Sequence, residues 1–212
     1  MSKVFVNIGL SLDGYMAPEG MNLEHWENPE HKDWGAKWGA LMDWILRLQY
    51  FREHLQQGSG GETGPVNDLL RATVERIGAN IMGKRMFDQG ERAWPEEAPF
   101  HTPVYVLTHA KREPWVRPGG TTFHFINDGP ARALELARES AGGRDIRAAG
   151  GADVIQQYLN MGVVDELEIA LAPVLLGGGR RLFDHLREPG PQFRIDRVVA
   201  SPTATHLRYV RH

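Results

Sequence analysis

The chain has 212 residues, 42% of them hydrophobic and 24% charged, which suits one large globular domain or two small ones. Its net charge of −3 argues against a general nucleic-acid binder, which is normally strongly basic. The absence of cysteine excludes disulfides, thiol nucleophiles and zinc–cysteine sites, and is compatible with a cytoplasmic location.

Taken in chain order, "KVFVNIGL" (3–10) reads as a first strand, closed by the turn signal "SLDG". Its short apolar stretch, interrupted by Asn7, is a strand rather than a signal peptide. Residues 15–35 are polar with several Pro and Gly breaks, which predicts a loop. Apolar spacing then predicts a helix over 36–55, a flexible break at "QQGSGGETGP" (56–65), and a helix over 66–78 with Gly78 as its C-cap. "NIMG" is a short strand opening into "KRMFDQG", and strands follow at 103–109 and 121–127. A helix is expected over 129–143, a strand over 145–150 and a helix over 152–162. A long strand (164–179) and a C-terminal hairpin (193–212) complete the chain. This order implies one α/β domain over 1–212, with 21–64 a variable helical insertion and loop. Its sheet should be mixed, mostly parallel in the middle, with an antiparallel C-terminal edge. No apolar run approaches the roughly 20 residues of a membrane span.

Three strand ends share a chemistry. Asn80–Met82 leads into Gly83, Lys84, Arg85 and Met86; Val104–Leu107 into Thr108 and His109, with Lys111 and Arg112 beyond; Ile146–Ala149 into Gly150, Gly151, Ala152 and Asp153. Ligands of open parallel sheets bind outside the carboxyl ends of the strands. Gly150-Gly151 lets the backbone approach a ligand and leaves the N–H groups of the next helix pointing at it, which favours phosphate. The attraction of a helix end is modest, about 0.3–1 kcal/mol, so neighbouring cations must add to it. Each feature also has an ordinary reading: a turn, a solvated Lys-Arg pair, a strand end. The fingerprint G-x-G-x-x-G is absent, which disfavours a Rossmann dehydrogenase. The nine histidines show no helical ligand pair, and a metal site is not expected. No G-x-S-x-G nucleophile elbow occurs.

"VNIGLSLDGYMA", "IMGKRMFD", "VYVLTH" and "AAGGADVIQQYLNMGVVDELEIALAPVLLGGGRRLF", in that order, resemble the dihydrofolate-reductase-like family. That family includes the C-terminal reductase domain of the bifunctional riboflavin-biosynthesis deaminase/reductase, often called RibD. The likeness covers nearly the whole chain except the insertion around 21–58. It implies a three-layer α/β/α fold and NADPH as hydride donor. By motif match it places Gly83, Lys84, Arg85 and Met86, then Leu107, Thr108 and His109, then Ala149, Gly150, Gly151, Ala152, Asp153 and Val154 around the cofactor. It places Ile8, Leu12, Asp13 and Met16 near the substrate; Trp26, in the Trp-rich insertion that the likeness does not cover, is a separate substrate-binding candidate from its own chemistry. The zinc signature of the deaminase half is missing.

The implied activity is reduction of a small flat heterocycle, of pterin or riboflavin-precursor pyrimidine type. The candidates for catalytic carboxylates are Asp68, Asp13 and Glu62. Asp68 has a second reading as a helix N-terminal charge, Asp13 as a turn residue and Glu62 as a solvated loop residue. The alternative function is a non-catalytic NADPH- or ligand-binding protein of the same fold. A homodimer is expected, with a small-molecule substrate and no nucleic-acid or membrane partner. Of Trp26, Trp34, Trp38 and Trp44, the two in the loop, Trp26 and Trp34, are the candidates for stacking on a substrate, against a core or interface role.

Overall fold

The computed structural model describes residues 2–21, 32–188, 190 and 192–212. A nine-stranded sheet forms its centre. In chain order its strands are β1 (Val4–Ser11), β3 (Ile77–Gly83), β4 (Pro103–Leu107), β5 (Trp115–Val116), β6 (Thr122–Ile126), β7 (Asp145–Gly150), β8 (Glu166–Ala172), β10 (Phe193–Ala200) and β11 (Thr205–Arg211). Side by side they run β10-β11-β8-β1-β7-β3-β4-β6-β5. The ladders from β8 through β6 are parallel, while β11 joins β8 and β5 joins β6 antiparallel. The mostly parallel sheet with an antiparallel C-terminal hairpin is therefore present as expected.

Strand alternation assigns the two faces. Val4, Val6, Ile81, Tyr105, Ile146 and Ala148 point to one side and form a core with α5 (Pro130–Ser140) and α6 (Ala152–Asn160). Met82, Val104, Val106 and Phe123 point to the other and pack around Phe87 of α4 (Lys84–Ala93). Phe87 is fully buried and meets Trp94, Trp115, Phe123 and Phe125 edge-on, a geometry favoured by the ring quadrupoles. On this second side also lie α1 (Lys32–Leu46), α2 (Gln49–His54) and α3 (Pro65–Glu75).

The second side carries a row of polar residues, which is unusual for central parallel strands. Glu166 and Glu168 come from β8, Asn7 from β1, Arg147 from β7 and Asn80 from β3. Glu166 is almost wholly buried and receives Lys3 Nζ at 2.6 Å, Arg76 at 2.8 Å and Arg208 at 2.8 Å. Burial alone would raise its pKa, but these cations bring it below the usual carboxylate value. Glu168 accepts from Asn7 Nδ2 at 3.2 Å, Thr73 Oγ1 at 3.0 Å and Arg76 at 3.2 Å.

Four local expectations are corrected. The helix over 36–55 is broken at Arg47–Leu48, where the backbones of Arg47 and Gln49 bond instead to Glu62. Gly78 is no C-cap: the helix ends at Glu75 and Gly78 sits inside β3. A Cβ there would lie 2.3 Å from the Ala141 carbonyl oxygen, so glycine is required for close backbone approach. The long strand 164–179 stops at Ala172, because Pro173 has no N–H for a ladder bond. Within the supposed loop 15–35, β2 (Tyr15–Pro18) pairs antiparallel with β9 (Gly179–Arg181).

Candidate active site

A groove of about 750 Å³ runs outside the carboxyl ends of the central strands. Ile8 and Gly9 of β1, Gly83 of β3, Leu107 of β4, Ile126 of β6 and Gly151 after β7 all open onto it. Three helices start there: α4 at Lys84, α5 at Pro130 and α6 at Ala152. The first N–H groups of a helix have no intrahelical partner and carry a partial positive charge, so the three ends make one electropositive wall. Gly150 has φ 136°, and a Cβ on it would fall 3.1 Å from Met86 Sδ. Only glycine turns the chain there without closing the groove beside Met86 and Met16.

The groove gathers Lys84, Arg85, Met86, Thr108, His109, Ala152, Asp153 and Val154 from the three strand ends, together with Ile8 and Met16. Lys84 is paired to Asp88 at 2.5 Å, whereas Arg85 has no ion pair among the described residues. Arg112 turns away: it bonds Glu91 at 2.7 Å and lies over the Phe87, Trp115 and Phe125 rings. Ala149 lies beneath, in the Phe87 core. Arg180, from β9, also reaches the groove.

The expected carboxylates fare differently. Asp13 is a clamp. Its carboxylate accepts from the Ser11 hydroxyl at 2.6 Å, from Gly177 N–H at 2.8 Å and from Leu176 N–H at 3.1 Å. Burial would raise its pKa, but these donors outweigh it and bring the value down to about 2. Asp68 is exposed in the first turn of α3, and Glu62 is an exposed partner of Arg47 at 3.7 Å; neither lines a cavity. Leu12 is 56% exposed and outside the groove. Trp26 lies outside the described residues, and Trp34 is buried.

Beyond the inner end of the groove lies a second chamber of about 960 Å³. Its floor is the polar row of the sheet, with Asn7, Asn80 and Arg147. Its walls are Trp38 and Ile45 of α1, Phe51 and His54 of α2, Leu70 of α3, and Trp94 and Phe100. Groove and chamber share Asn7, Trp38, Met42, Ile45, Gln89 and Arg147. The groove thus adjoins a chamber with aromatic walls. No Asp or Glu lines that chamber among the described residues. His54 Nε2 donates to the Pro99 carbonyl at 2.5 Å. Burial, with smaller contributions from His101 and Arg147, keeps its pKa below the usual value, so the ring is neutral near pH 7.

Among the described residues, no helix is long and apolar enough to cross a membrane, and no cluster of His, Asp and Glu could hold a metal. Asn7, Asn80 and Arg147 escape the sequence reading, which gives Trp38 a core or interface role. Their signal was available: three adjacent central strands each carry one polar residue amid apolar ones.

A family model described as the RibD C-terminal domain matches residues 2–207. Among curated proteins, the uncharacterised YyaP of Bacillus subtilis (strain 168) is 36% identical over 64 residues, 30% of this chain and 34% of YyaP. YwjB of the same organism is 34% identical over 87 residues, 41% of this chain and 49% of YwjB. The alignments thus span between a third and a half of these relatives' length. A crystal structure from Shewanella sp. PV-4, of a protein named for riboflavin biosynthesis, shares 23% identity at TM-score 0.65, covering 100% of this chain and 99% of that one. The deaminase/5-amino-6-(5-phosphoribosylamino)uracil reductase of Thermotoga maritima shares 12% at TM-score 0.58, covering 100% of this chain and 57% of that one. Enterococcus faecalis dihydrofolate reductase, solved with NADP(H), shares 12% at TM-score 0.52, covering 99% and 96%. At these identities the solved structures establish the dihydrofolate-reductase-like fold.

Proposed function

Because the chain belongs to the RibD C-terminal domain family, we propose that it is an NADPH-dependent reductase of a small, flat heterocycle of pterin or pyrimidine type. The observation that carries this reading is the continuity of two differently built spaces. One is long and rimmed by helix N-termini and cations; the other is broad, aromatic and floored by polar side chains.

The donor set of the groove fits a phosphorylated dinucleotide. The N-termini of α4 and α6 and the N–H groups beyond Gly151 would hold the pyrophosphate. Arg85, His109 and Thr108 would take the 2′-phosphate side, where a charge-assisted bond favours NADPH over NADH. Ile8, Gly9, Met16 and Met86 would border the nicotinamide. When bound, that ring supplies the hydride for a C=N or C=O carbon.

The chain's own work is to orient and enclose. Trp38, Met42 and Ile45 of α1 stand where groove meets chamber and exclude water from the hydride path. Asn7 Nδ2 is held by Glu168, which leaves its Oδ1 free to accept a hydrogen bond from a heterocycle N–H. With no carboxylate in the chamber wall among the described residues, the proton for the reduced nitrogen or oxygen would come from solvent rather than from Asp68, Asp13 or Glu62.

The reading is tested in two steps. NADPH fluorescence should change on titration with the protein, and NADPH absorbance should then fall when dihydropterins or aminouracils are added. Binding without oxidation by any such heterocycle favours the non-catalytic alternative. No binding defeats both.

A further inference from the structure

Arg147 sits in the middle of β7, flanked in sequence by the buried Ile146 and Ala148. Its Nε donates to Asn80 Oδ1 at 2.7 Å. Its two terminal nitrogens make no hydrogen bond or ion pair among the described residues, although the side chain lines both groove and chamber. The carboxylates on the same face are already engaged, Glu166 by Lys3, Arg76 and Arg208, and Glu168 by Arg76, Asn7 and Thr73. Burial draws its guanidinium down to about 10, so it remains charged at neutral pH. A half-buried guanidinium whose terminal nitrogens have no counter-charge is costly to keep, and a sequence that holds one on the floor of an aromatic-walled cavity points to an anion brought in from outside.

We propose that Arg147 is the anchoring residue for an oxyanion carried by the ligand of the chamber, a carboxylate or a phosphate, held by the two free guanidinium nitrogens. The planar fork of the guanidinium suits two parallel N–H···O bonds. Asn7 Oδ1, on the neighbouring strand, accepts from an N–H or O–H of the same molecule. The ligand class is therefore a flat ring bearing an oxyanion and a hydrogen-bond donor. The inference deepens the reductase reading by describing that enzyme's substrate, but the anion site stands on Arg147 alone.

The test uses the quenching of tryptophan fluorescence, since Trp38 and Trp94 line the chamber. The full chain is titrated with benzoate, with benzamide as its uncharged counterpart, and with inorganic phosphate. Benzoate should bind at least tenfold more tightly than benzamide. Displacement of benzoate by inorganic phosphate at lower concentration would assign the site to phosphate; the reverse order assigns it to carboxylate. Arg147→Gln should bring the benzoate-to-benzamide ratio within twofold, and Arg147→Lys should keep part of it. Should Arg147→Gln fail to fold, Asn80→Asp places a resident carboxylate against the guanidinium and should abolish the preference in a folded chain. Equal binding of benzoate and benzamide by the unaltered protein overturns the proposal, as does a preference that survives both Arg147→Gln and Asn80→Asp. NADPH is titrated in parallel: anion preference without NADPH binding defeats the reductase reading and leaves the Arg147 site, and the converse defeats the site alone.

Discussion

Asn80 Oδ1 accepts from Arg147 Nε at 2.7 Å while Asn80 Nδ2 donates to Thr102 Oγ1 at 2.9 Å, so one amide ties the half-buried cation to the next strand and fixes where its free nitrogens stand. Replacing Asn80 with Asp keeps an acceptor for Arg147 and lets the Thr102 hydroxyl reverse and donate. The variant should gain about 1 kcal/mol, because the half-buried cation then has a counter-charge. Thermal unfolding checks this. A melting temperature lowered by several degrees would show that the cation is already compensated.

On the proposed reading, the choice between NADPH and NADH would rest on Arg85. It stands at the groove rim without an ion pair among the described residues, whereas Lys84 is held by Asp88. Arg85→Ala should weaken NADPH by about 1.5 kcal/mol, close to tenfold, and NADH much less. Equal loss for both cofactors would remove Arg85 as the discriminator.

Asp68 stands outside both cavities, in the first turn of α3. Asp68→Asn should leave kcat within twofold and cost about 0.3–1 kcal/mol of stability through the helix dipole. A hundredfold fall in kcat with an unchanged melting temperature would return it to the chemistry.

Asp13 makes acid sensitivity readable. Its folded pKa of about 2 lies below the ordinary 3.8. A depressed carboxylate contributes stability above its unfolded value and loses it as pH falls through the folded value. Asp13→Asn should therefore be less stable than the parent at pH 6, and the gap should close between about pH 4 and pH 2. A gap independent of pH in that window would contradict the clamp on residues 176–177.

Glu166 is 1% exposed and bound by three cations that themselves reach water at 54%, 22% and 26% exposure. Glu166→Gln leaves those cations without their shared partner, and solvent softens the loss, so about 3 kcal/mol is expected in denaturant unfolding. NADPH binding should be unchanged, because Glu166 lines neither space.

Read along the chain, the residues mark out most of the strands and helices, though not β2, β5, β9 or α4, together with the antiparallel end of the sheet and which strand ends carry glycine and cations. These are local matters: periodicity, turn residues and the residues just beyond a strand report on their own neighbourhood. Gly83 to Met86, Leu107 to His109, and Gly151 to Val154 were legible because each group follows its strand directly, and all reach one groove. Which side chains meet is a long-range matter, set by how the strands are ordered and where distant loops return. Asp13 reads from its own neighbourhood first as a turn residue and second as a substrate contact, and it takes Leu176 and Gly177, distant in the chain, to make it a clamp. Tyr15–Pro18 became a strand because Gly179–Arg181 lay beside it, and the 36–55 helix broke because Glu62 bonded into it. Asn7, Asn80 and Arg147 each read as one polar residue in an apolar strand. Strand order, which is long-range, sets them on neighbouring strands of the same face and builds the floor of the chamber from three apparent exceptions.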